Sequence, residues 1–201
     1  MEEEKTNDDE IKVILVGDSG VGKTCLINIT IGIPFNENEK SSSASSFSKK
    51  KININKKQYI INLWDTMGQE RLRYLTQLFF NNAKIVIFVY DITNKQSFKE
   101  LDFWFKTIQD VLGNEPVIGI AGNKKDLVMK EEVPEEEAQK FADEKKVPLK
   151  LTSAKNPLSF NSFLEDLIKK YIEKNGGKIE SGEGQKLENK DNKKPGNKKC
   201  C

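Results

Sequence analysis

Short apolar runs recur along most of this chain, each about the length of a strand. Runs without polar alternation are typical of strands in a sheet that is covered on both faces. The runs of this kind are Ile11–Val16, Ile60–Trp64, Lys84–Tyr90 and Val117–Gly122, with Val147–Leu151 as a weaker example. Lys49–Ile54 instead alternates polar residues with isoleucine. This alternation predicts an exposed edge strand, paired with the Ile60 run through a turn at Lys56 and Lys57.

The segments between these runs have the spacing of amphipathic helices. Cys25–Ile31 follows the first run, and Pro134 with the acids Glu135, Glu136 and Glu137 marks a helix start whose acids favour the helix dipole. Two further segments each gather large apolar residues on one face. The first contains Phe98, Leu101, Trp104, Phe105, Ile108 and Leu112, and the second contains Phe160, Phe163, Leu164, Leu167, Ile168 and Tyr171. We interpret these aromatic residues as core rather than as part of a cofactor site.

The alternation of strands and helices predicts one doubly wound α/β domain over residues 11–174. Residues 1–10 form an acidic leader, and residues 175–201 contain so few hydrophobic residues that we expect a disordered tail. Residues 36–50 are rich in serine and asparagine and are expected to form a mobile, functional loop. Ligands bind such domains at the carboxyl ends of the strands, so the residues that follow each run are the candidates for chemistry.

Charge and composition narrow the possible functions. Lysine and arginine total 33 against 31 acids, and this balance does not favour a nucleic-acid binder. The chain has no histidine, which excludes His-based catalytic triads and His-ligated zinc. Three cysteines make no disulfide framework and indicate a reducing compartment. The acidic start lacks a signal peptide and no run is long enough to span a membrane, so membrane contact is expected only at the end of the chain.

The segment after the first run fits the phosphate-binding pattern G-x-x-x-x-G-K-[ST]. Its glycines let backbone N–H groups curl around a polyphosphate, and the following helix N-terminus adds partial positive charge. Lys23 is suited to reach the terminal phosphates and the Thr24 hydroxyl to bind Mg²⁺. A tight turn without a ligand is the alternative, but it leaves the Gly-Lys-Thr ending unexplained. The predicted phosphate-binding residues are Gly17, Asp18, Ser19, Gly20, Val21, Gly22, Lys23, Thr24 and Cys25.

Two further motifs follow later strands. Asp65 directly follows the Ile60 run, where it is placed to hold Mg²⁺ through water. Gly68 is then placed to offer its N–H to the terminal phosphate, and Gln69 to orient an attacking water. Asn123-Lys124-Lys125-Asp126 follows the Val117 run. A carboxylate such as Asp126 accepts two hydrogen bonds from the N1 and N2 edge of guanine, a pair that adenine lacks. A charged surface loop is the alternative for this tetrapeptide alone.

Together these motifs resemble those of the small GTPases of the Ras superfamily, and the resemblance covers residues 11–174. It implies a P-loop NTPase small G domain with a mostly parallel six-stranded sheet and helices on both faces. It also implies Mg²⁺-dependent binding of GTP and GDP, with slow GTP hydrolysis for which Gln69 is the catalytic residue. The guanine-binding residues would be Phe35, Asn123, Lys124, Asp126, Ser153, Ala154 and Lys155. The metal ligands would be Thr24, Ser42 and Asp65, with Ser42 and Gly68 also contacting phosphate.

Within that superfamily the chain most resembles the Rab branch. Its Lys-Lys-Cys-Cys ending is similar to Rab endings that carry two prenyl groups, here on Cys200 and Cys201. Phe47, Trp64 and Phe79 fall where Rab proteins keep an aromatic triad that contacts effectors, although plain core packing is the alternative for each. The short Asp126–Ser153 spacing argues against the Rho branch, and Glu2 excludes Arf-type myristoylation.

The resemblance to Rab proteins implies a membrane-anchored switch in vesicle traffic. Its expected location is the cytoplasmic face of an endomembrane, with a cytosolic pool. The implied partners are an exchange factor, a GTPase-activating protein, effectors, a Rab escort protein and a GDP-dissociation inhibitor. We expect a monomer that does not bind nucleic acid.

Some residues depart from the family pattern. Ser42 falls on a metal-binding threonine, Ala44 on a glycine and Met67 on an alanine, so we expect looser Mg²⁺ coordination and a less ordered GTP-bound loop. Met67 either displaces Gln69 or packs beneath the loop. Residues 25–63 contain no arginine, so hydrolysis is expected to need a partner. The alternative functions are a GTP-binding scaffold that hydrolyses poorly and an ATP-dependent phosphotransferase. The motif Asn123-Lys124-Lys125-Asp126 argues against the phosphotransferase.

Overall fold

A six-stranded sheet organises the chain, with its strands in the order β2-β3-β1-β4-β5-β6. This computed structural model describes residues 10–37, 46–65 and 80–177. The strands are β1 (Glu10–Val16), β2 (Ser46–Ile54), β3 (Lys57–Asp65), β4 (Ile85–Asp91), β5 (Val117–Asn123) and β6 (Leu149–Leu151). β2 is antiparallel to β3, and every other neighbouring pair is parallel. The prediction of a mostly parallel six-stranded sheet is confirmed.

The helices that connect these strands begin and end close to the predicted positions. Within the described ranges they are α1 (Lys23–Thr30), α2 (Lys95–Lys99), α3 (Leu101–Leu112), α4 (Glu135–Lys145) and α5 (Pro157–Lys174), with a 3₁₀ helix at Lys125–Lys130. The apolar segment from Phe98 to Leu112 is divided at Glu100, where α2 ends and α3 begins. Pro134 precedes α4, and the predicted acids occupy its first turn.

Strand side chains alternate between two apolar layers, because successive residues of a strand point to opposite faces. On β1, Val13 and Leu15 belong to one core cluster, and Ile14 and Val16 belong to the other. Residues of α1 and α5 cover the first layer, and residues of α2, α3 and α4 cover the second. Helices therefore lie on both faces, and the aromatic residues interpreted as core do pack there.

The hairpin that joins β2 to β3 turns one residue earlier than predicted. Asn55 and Lys56 have φ of +51° and +65°, and Ile54 pairs with Lys57. Two successive left-handed residues form the two-residue turn whose twist matches that of the flanking strands. The placement of Lys57 in the turn was therefore wrong, because Lys57 is the first residue of β3.

Two predicted boundaries also differ from the structure. Glu10 was assigned to the leader but is the first residue of β1, where it is paired with Ile60 of β3. Residues 46–50 were assigned to a loop but belong to β2. Strand pairing with β3 explains both differences, because ladder hydrogen bonds extend beyond the apolar residues that revealed the strands.

The parallel strands bring the candidate motifs to one edge of the sheet. β1 ends directly before the phosphate-binding segment, β3 ends at Asp65, and β5 ends at Asn123. The register pairs Leu15 with Asp65 and Asp91 with Asn123. The crevice between the connections on the two sides of β1 is where ligands of doubly wound sheets bind.

Candidate nucleotide site

The turn between β1 and α1 depends on its glycines. Gly20 and Gly22 have φ of +75° and +97°, in the left-handed region that favours glycine. A Cβ atom on Gly17 would collide with the Val89 carbonyl, and one on Gly22 would collide with the Asn123 side chain. The glycines therefore let the turn lie against β4 and β5, which is the close backbone approach that a phosphate loop needs.

Lys23 is the first residue of α1, and its side chain is almost fully buried. The Nζ atom donates to the carbonyl oxygens of Gly17 at 2.8 Å and Asp18 at 2.7 Å. Burial lowers the pKa of Lys23 to about 8, although Asp65 and Asp18 act to raise it. The two carbonyl oxygens are neutral, so they do not balance the positive charge of the buried Lys23 ammonium group. A bound anion would supply the opposite charge, and Lys23 is therefore suited to bind one.

Thr24 and Asp65 bring an alcohol and a carboxylate together beside this loop. The Thr24 hydroxyl donates to Asp65 Oδ2 at 2.6 Å, and Asp65 is only 1% exposed. Hydroxyl and carboxylate oxygens are the ligands that Mg²⁺ uses together with substrate phosphates. These two residues therefore fit a magnesium ion. No cluster of three or more acidic or cysteine residues suited to a metal exists among the residues that the structure describes.

A pocket opens next to the phosphate loop and gathers most of the residues predicted to bind guanine. It is lined by Gly22, Cys25, Phe35, Glu37, Asn123, Lys124, Asp126, Leu127, Ala154 and Lys155. Cys25, which is predicted to contact phosphate, lies in the first turn of α1 and also lines this pocket. The pocket shares Gly22 with the phosphate loop, so a base and its phosphates would occupy adjoining spaces.

Asn123 joins the base pocket to the phosphate loop. It is buried, and its Nδ2 donates to the Val21 carbonyl at 2.8 Å. Its Oδ1 atom accepts a long hydrogen bond from the Thr152 hydroxyl at 3.4 Å. Asn123 therefore fixes the distance between the two parts of the site.

Ser153 positions Asp126. Its hydroxyl donates to Asp126 Oδ1 at 2.6 Å and accepts from the Lys155 backbone N–H at 3.1 Å. The loops after β5 and β6 are thereby held together. The other carboxylate oxygen of Asp126, Oδ2, lies 3.7 Å from Lys155 Nζ, and Asp126 lines the pocket.

Two residues of this site were missed by the sequence analysis. Asp91, at the end of β4, forms an ion pair with Lys124 at 2.7 Å, and Lys124 itself has a left-handed φ of +66°. Asp91 lies at a strand end, as Asp65 does, and this position was the signal in the sequence that could have identified it. Glu37 forms an ion pair with Lys155 at 2.7 Å, and Lys155 lies 5.4 Å from the centre of the Phe35 ring.

The Glu37–Lys155 hydrogen bond lowers the pKa of Glu37 and raises that of Lys155. The sequence around Glu37 is polar and does not distinguish Glu37 from the neighbouring Glu39. The contact of Glu37 with Lys155 could not be predicted, because the two residues become neighbours only in the folded chain.

Two members of the predicted aromatic triad meet on the outer part of the sheet. The Phe47 and Trp64 ring centres lie 5.0 Å apart, and Phe47 is 46% exposed. Lys12 Nζ lies 4.5 Å from the centre of the Trp64 ring. Other predicted residues lie outside the described ranges: Ser42, Ala44, Met67, Gly68, Gln69, Phe79, Cys200 and Cys201. Along the described segments, no helix has the length and apolar character needed to cross a bilayer.

Comparison with known proteins gives consistent matches along the chain. A model of the Ras family matches residues 12–173. The Ras-related protein Rab-11C of Dictyostelium discoideum is 38% identical over 157 residues, covering 78% of this chain and 70% of the relative. The Ras-related protein SEC4 of Saccharomyces cerevisiae is 35% identical, covering 85% and 79%. The Ras-related protein Rab-13 of Rattus norvegicus is 34% identical over 98% of both chains.

Proposed function

This chain belongs to the Ras family, in its Rab branch of small GTPases, and on that premise we propose that it is a membrane-anchored GTP/GDP switch in vesicle trafficking. The observation that supports this proposal most strongly is the pocket beside the phosphate loop. Phe35, Asp126 and Lys155 face that pocket from three separate segments, and Asn123 ties it to the loop. This arrangement suits a purine nucleotide whose phosphates extend toward Lys23.

The chemistry of the pocket favours guanine over adenine. Asp126 would accept hydrogen bonds from the guanine N1 and N2 groups, and the backbone N–H of Ala154 would donate to the guanine oxygen. Adenine has no matching pair of donors and would leave the Asp126 carboxylate without those hydrogen bonds, which disfavours the wrong base. Lys124, held by Asp91, and Phe35 would form the walls around the base.

Thr24 and Asp65 would hold Mg²⁺ together with Ser42. When bound, the ion would neutralise charge on the β- and γ-phosphates of GTP. Lys23 and the backbone N–H groups of residues 17–22 would bind the phosphates. Gly68 and Gln69 would contact the γ-phosphate and orient the attacking water. Loss of the γ-phosphate would release both loops that contain Ser42 and Gln69, and effectors would distinguish the two states.

We expect slow hydrolysis without a partner. Residues 25–63 contain no arginine that could stabilise transition-state charge in cis, and in GTPases of this kind such an arginine supplies about 10³–10⁵ in rate. A second candidate function, a GTP-gated scaffold with very poor hydrolysis, is favoured by Ser42, Ala44 and Met67. Single-turnover GTP hydrolysis with and without a Rab GTPase-activating protein separates the two, because only the switch would be accelerated.

The test of base recognition is Asp126→Asn. We expect this variant to lose GDP affinity by about a hundredfold or more, because asparagine cannot accept both guanine hydrogen bonds. It should gain affinity for xanthosine diphosphate, whose carbonyl at position 2 accepts from the asparagine amide. Competition against fluorescent GDP measures both affinities, with Asp110→Asn on the exposed side of α3 as control. Equal competition by ADP and GDP in the unaltered protein would contradict the proposal.

The membrane anchor is proposed to be two prenyl groups on Cys200 and Cys201. One lipid chain binds a membrane marginally, whereas two bind it stably, and the lysines just before the cysteines would add attraction to anionic lipid. The tagged full chain should lie on an endomembrane in cells, and the Cys200→Ser/Cys201→Ser variant should not. Asn197→Ser is the matched tail control. Unchanged membrane association of the double variant would refute this anchor.

The partners that this function requires are the regulators of a Rab cycle. We expect an exchange factor and a GTPase-activating protein to act on the nucleotide site, and effectors to contact the surface that includes Phe47 and Trp64. An escort protein and a GDP-dissociation inhibitor would handle the prenylated tail and maintain the cytosolic pool.

A further inference from the structure

Lys155 stands between two carboxylates at the mouth of the base pocket. Its Nζ atom lies 2.7 Å from Glu37 Oε1 and 3.7 Å from Asp126 Oδ2. Glu37 follows α1 in the chain, whereas Asp126 and Lys155 belong to the loops after β5 and β6. One ammonium group thus connects the segment that leads into residues 38–45 with the loops proposed to bind guanine.

The two carboxylates differ in the hydrogen-bond partners that they must accept. Asp126 Oδ1 already accepts from the Ser153 hydroxyl at 2.6 Å. Asp126 would also have to accept two hydrogen bonds from guanine, so a lysine drawn fully onto Oδ2 would compete with the base. Glu37 is much more exposed and lies nearer to Lys155. The shorter ion pair with Glu37 therefore draws the ammonium group toward Glu37 and leaves only a longer contact, 3.7 Å, with Asp126.

The same ion pair sets the position of Lys155 relative to Phe35. Lys155 Nζ lies 5.4 Å from the centre of the Phe35 ring, within the range of a cation–π contact. Both residues line the pocket. The Glu37 contact therefore holds the Lys155 ammonium group near the Phe35 ring, and its contact with Asp126 stays the longer of the two, at 3.7 Å against 2.7 Å.

We propose that Glu37 is a positioning residue for guanine recognition, which retains Lys155 at the Phe35 wall, leaves Asp126 available to the base and thereby slows nucleotide release. This inference rests on the proposed function, because it concerns the regulation of the same pocket. Through Glu37, the segment after α1 would directly affect how long the nucleotide stays bound.

Glu37→Gln tests the proposal, because it removes the charge and keeps the size of the side chain. Release of fluorescent GDP from the full chain should accelerate by a factor of about two to five, the range expected for one exposed ion pair. The effect should shrink at ~0.5 M salt, where exposed charges are screened. Glu137→Gln is the matched control, since Glu137 forms an exposed ion pair with Lys95 at 3.1 Å and neither residue lines the pocket.

A second measurement separates positioning from general loosening. Inosine diphosphate lacks the N2 amino group of GDP, so the ratio of the two affinities reports the hydrogen bond to Asp126. Glu37→Gln should reduce this ratio by a factor of about two or more, because Lys155 then competes for Asp126. Glu37→Asp, which keeps the charge, should recover part of the ratio.

Release at the unaltered rate in Glu37→Gln would overturn the proposal. Faster release with an unchanged GDP-to-inosine-diphosphate ratio would also overturn it, because Asp126 would then be unaffected. These failures differ from a failure of the proposed function, in which the unaltered chain would not bind GDP in preference to ADP at all.

Discussion

Two glycines of the phosphate loop have similar backbone conformations but different surroundings. Gly20 and Gly22 both have positive φ, and an added Cβ would meet nothing near Gly20 but would collide with Asn123 at Gly22. Alanine should therefore cost about 1–2 kcal/mol of unfolding free energy at position 20, from the left-handed conformation alone. At position 22 it should cost about 1–3 kcal/mol more, because the buried Asn123 amide loses its bond to Val21.

Urea unfolding of Gly20→Ala and Gly22→Ala, compared with the unaltered chain, measures this difference. GDP affinity should fall more for Gly22→Ala, since Asn123 connects the base pocket to the loop. Equal losses of stability and affinity in the two variants would show that the Gly22–Asn123 contact has no special role.

Single residues can be predicted from the sequence where their role follows from a local pattern. Motifs with fixed spacing contain the phosphate-loop glycines, Lys23, Asp65 and Asp126, and the structure brings all of these residues to one edge of the sheet. Asp91 offered only its position at a strand end as a signal, and Glu37 offered none. Each acquires its role from a lysine that is distant in the chain and becomes a neighbour only on folding.

Among the elements, the β2–β3 hairpin carries the clearest prediction. Its turn places Lys56 at a φ of +65°, a conformation in which glycine is unstrained and lysine is not. Lys56→Gly should therefore stabilise the protein by about 1 kcal/mol. The measurement is the shift in urea midpoint at constant slope.

Lys57→Gly is the control, because it removes the same charge one residue later. Lys57 begins β3, so glycine there should destabilise by about 0.5–1 kcal/mol through lost strand propensity. Stabilisation by both substitutions would indicate that charge repulsion in the lysine-rich hairpin, and not the turn conformation, is responsible.

The hairpin also shows which features of a strand can be predicted from the sequence and which cannot. Alternation over Lys49–Ile54 predicts an edge strand correctly, but it fits a turn at residues 55–56 as well as one at 56–57. The choice depends on which two residues adopt left-handed conformations, and asparagine followed by lysine gives only a weak local preference. Strand ends are similarly undetermined, since pairing with β3 extends β2 back to Ser46.

At the scale of the molecule, parallel strands and two covering layers of helices account for the position of the site. The apolar runs predicted this architecture because residues buried on both faces leave no polar alternation. Once the strands are parallel, the segments after β1, β3, β5 and β6 must meet at one edge. The ionisation of side chains in the site could not be predicted from the sequence, because it depends on how deeply the folded chain buries them.

Lys23 makes that ionisation testable as a property of the whole protein. Its pKa is about 8 in the folded chain against an ordinary value of 10.5, because burial disfavours the charged form. Between these two pH values the unfolded chain binds more protons than the folded chain, so the unfolding free energy should rise with pH. The contribution of Lys23 to this rise is on the order of 3 kcal/mol.

Lys23→Met isolates this contribution, because other lysines and tyrosines titrate equally in both proteins. The difference in urea stability between the unaltered chain and the variant should therefore change in favour of the unaltered chain from pH 8 to 10.5. Saturating GDP should abolish the change, since bound phosphate favours the charged lysine and raises its pKa. If the unfolding free energies of the two proteins had the same pH dependence without nucleotide, burial would not disfavour the charged form of Lys23. The argument from burial that Lys23 is suited to bind an anion would then fail.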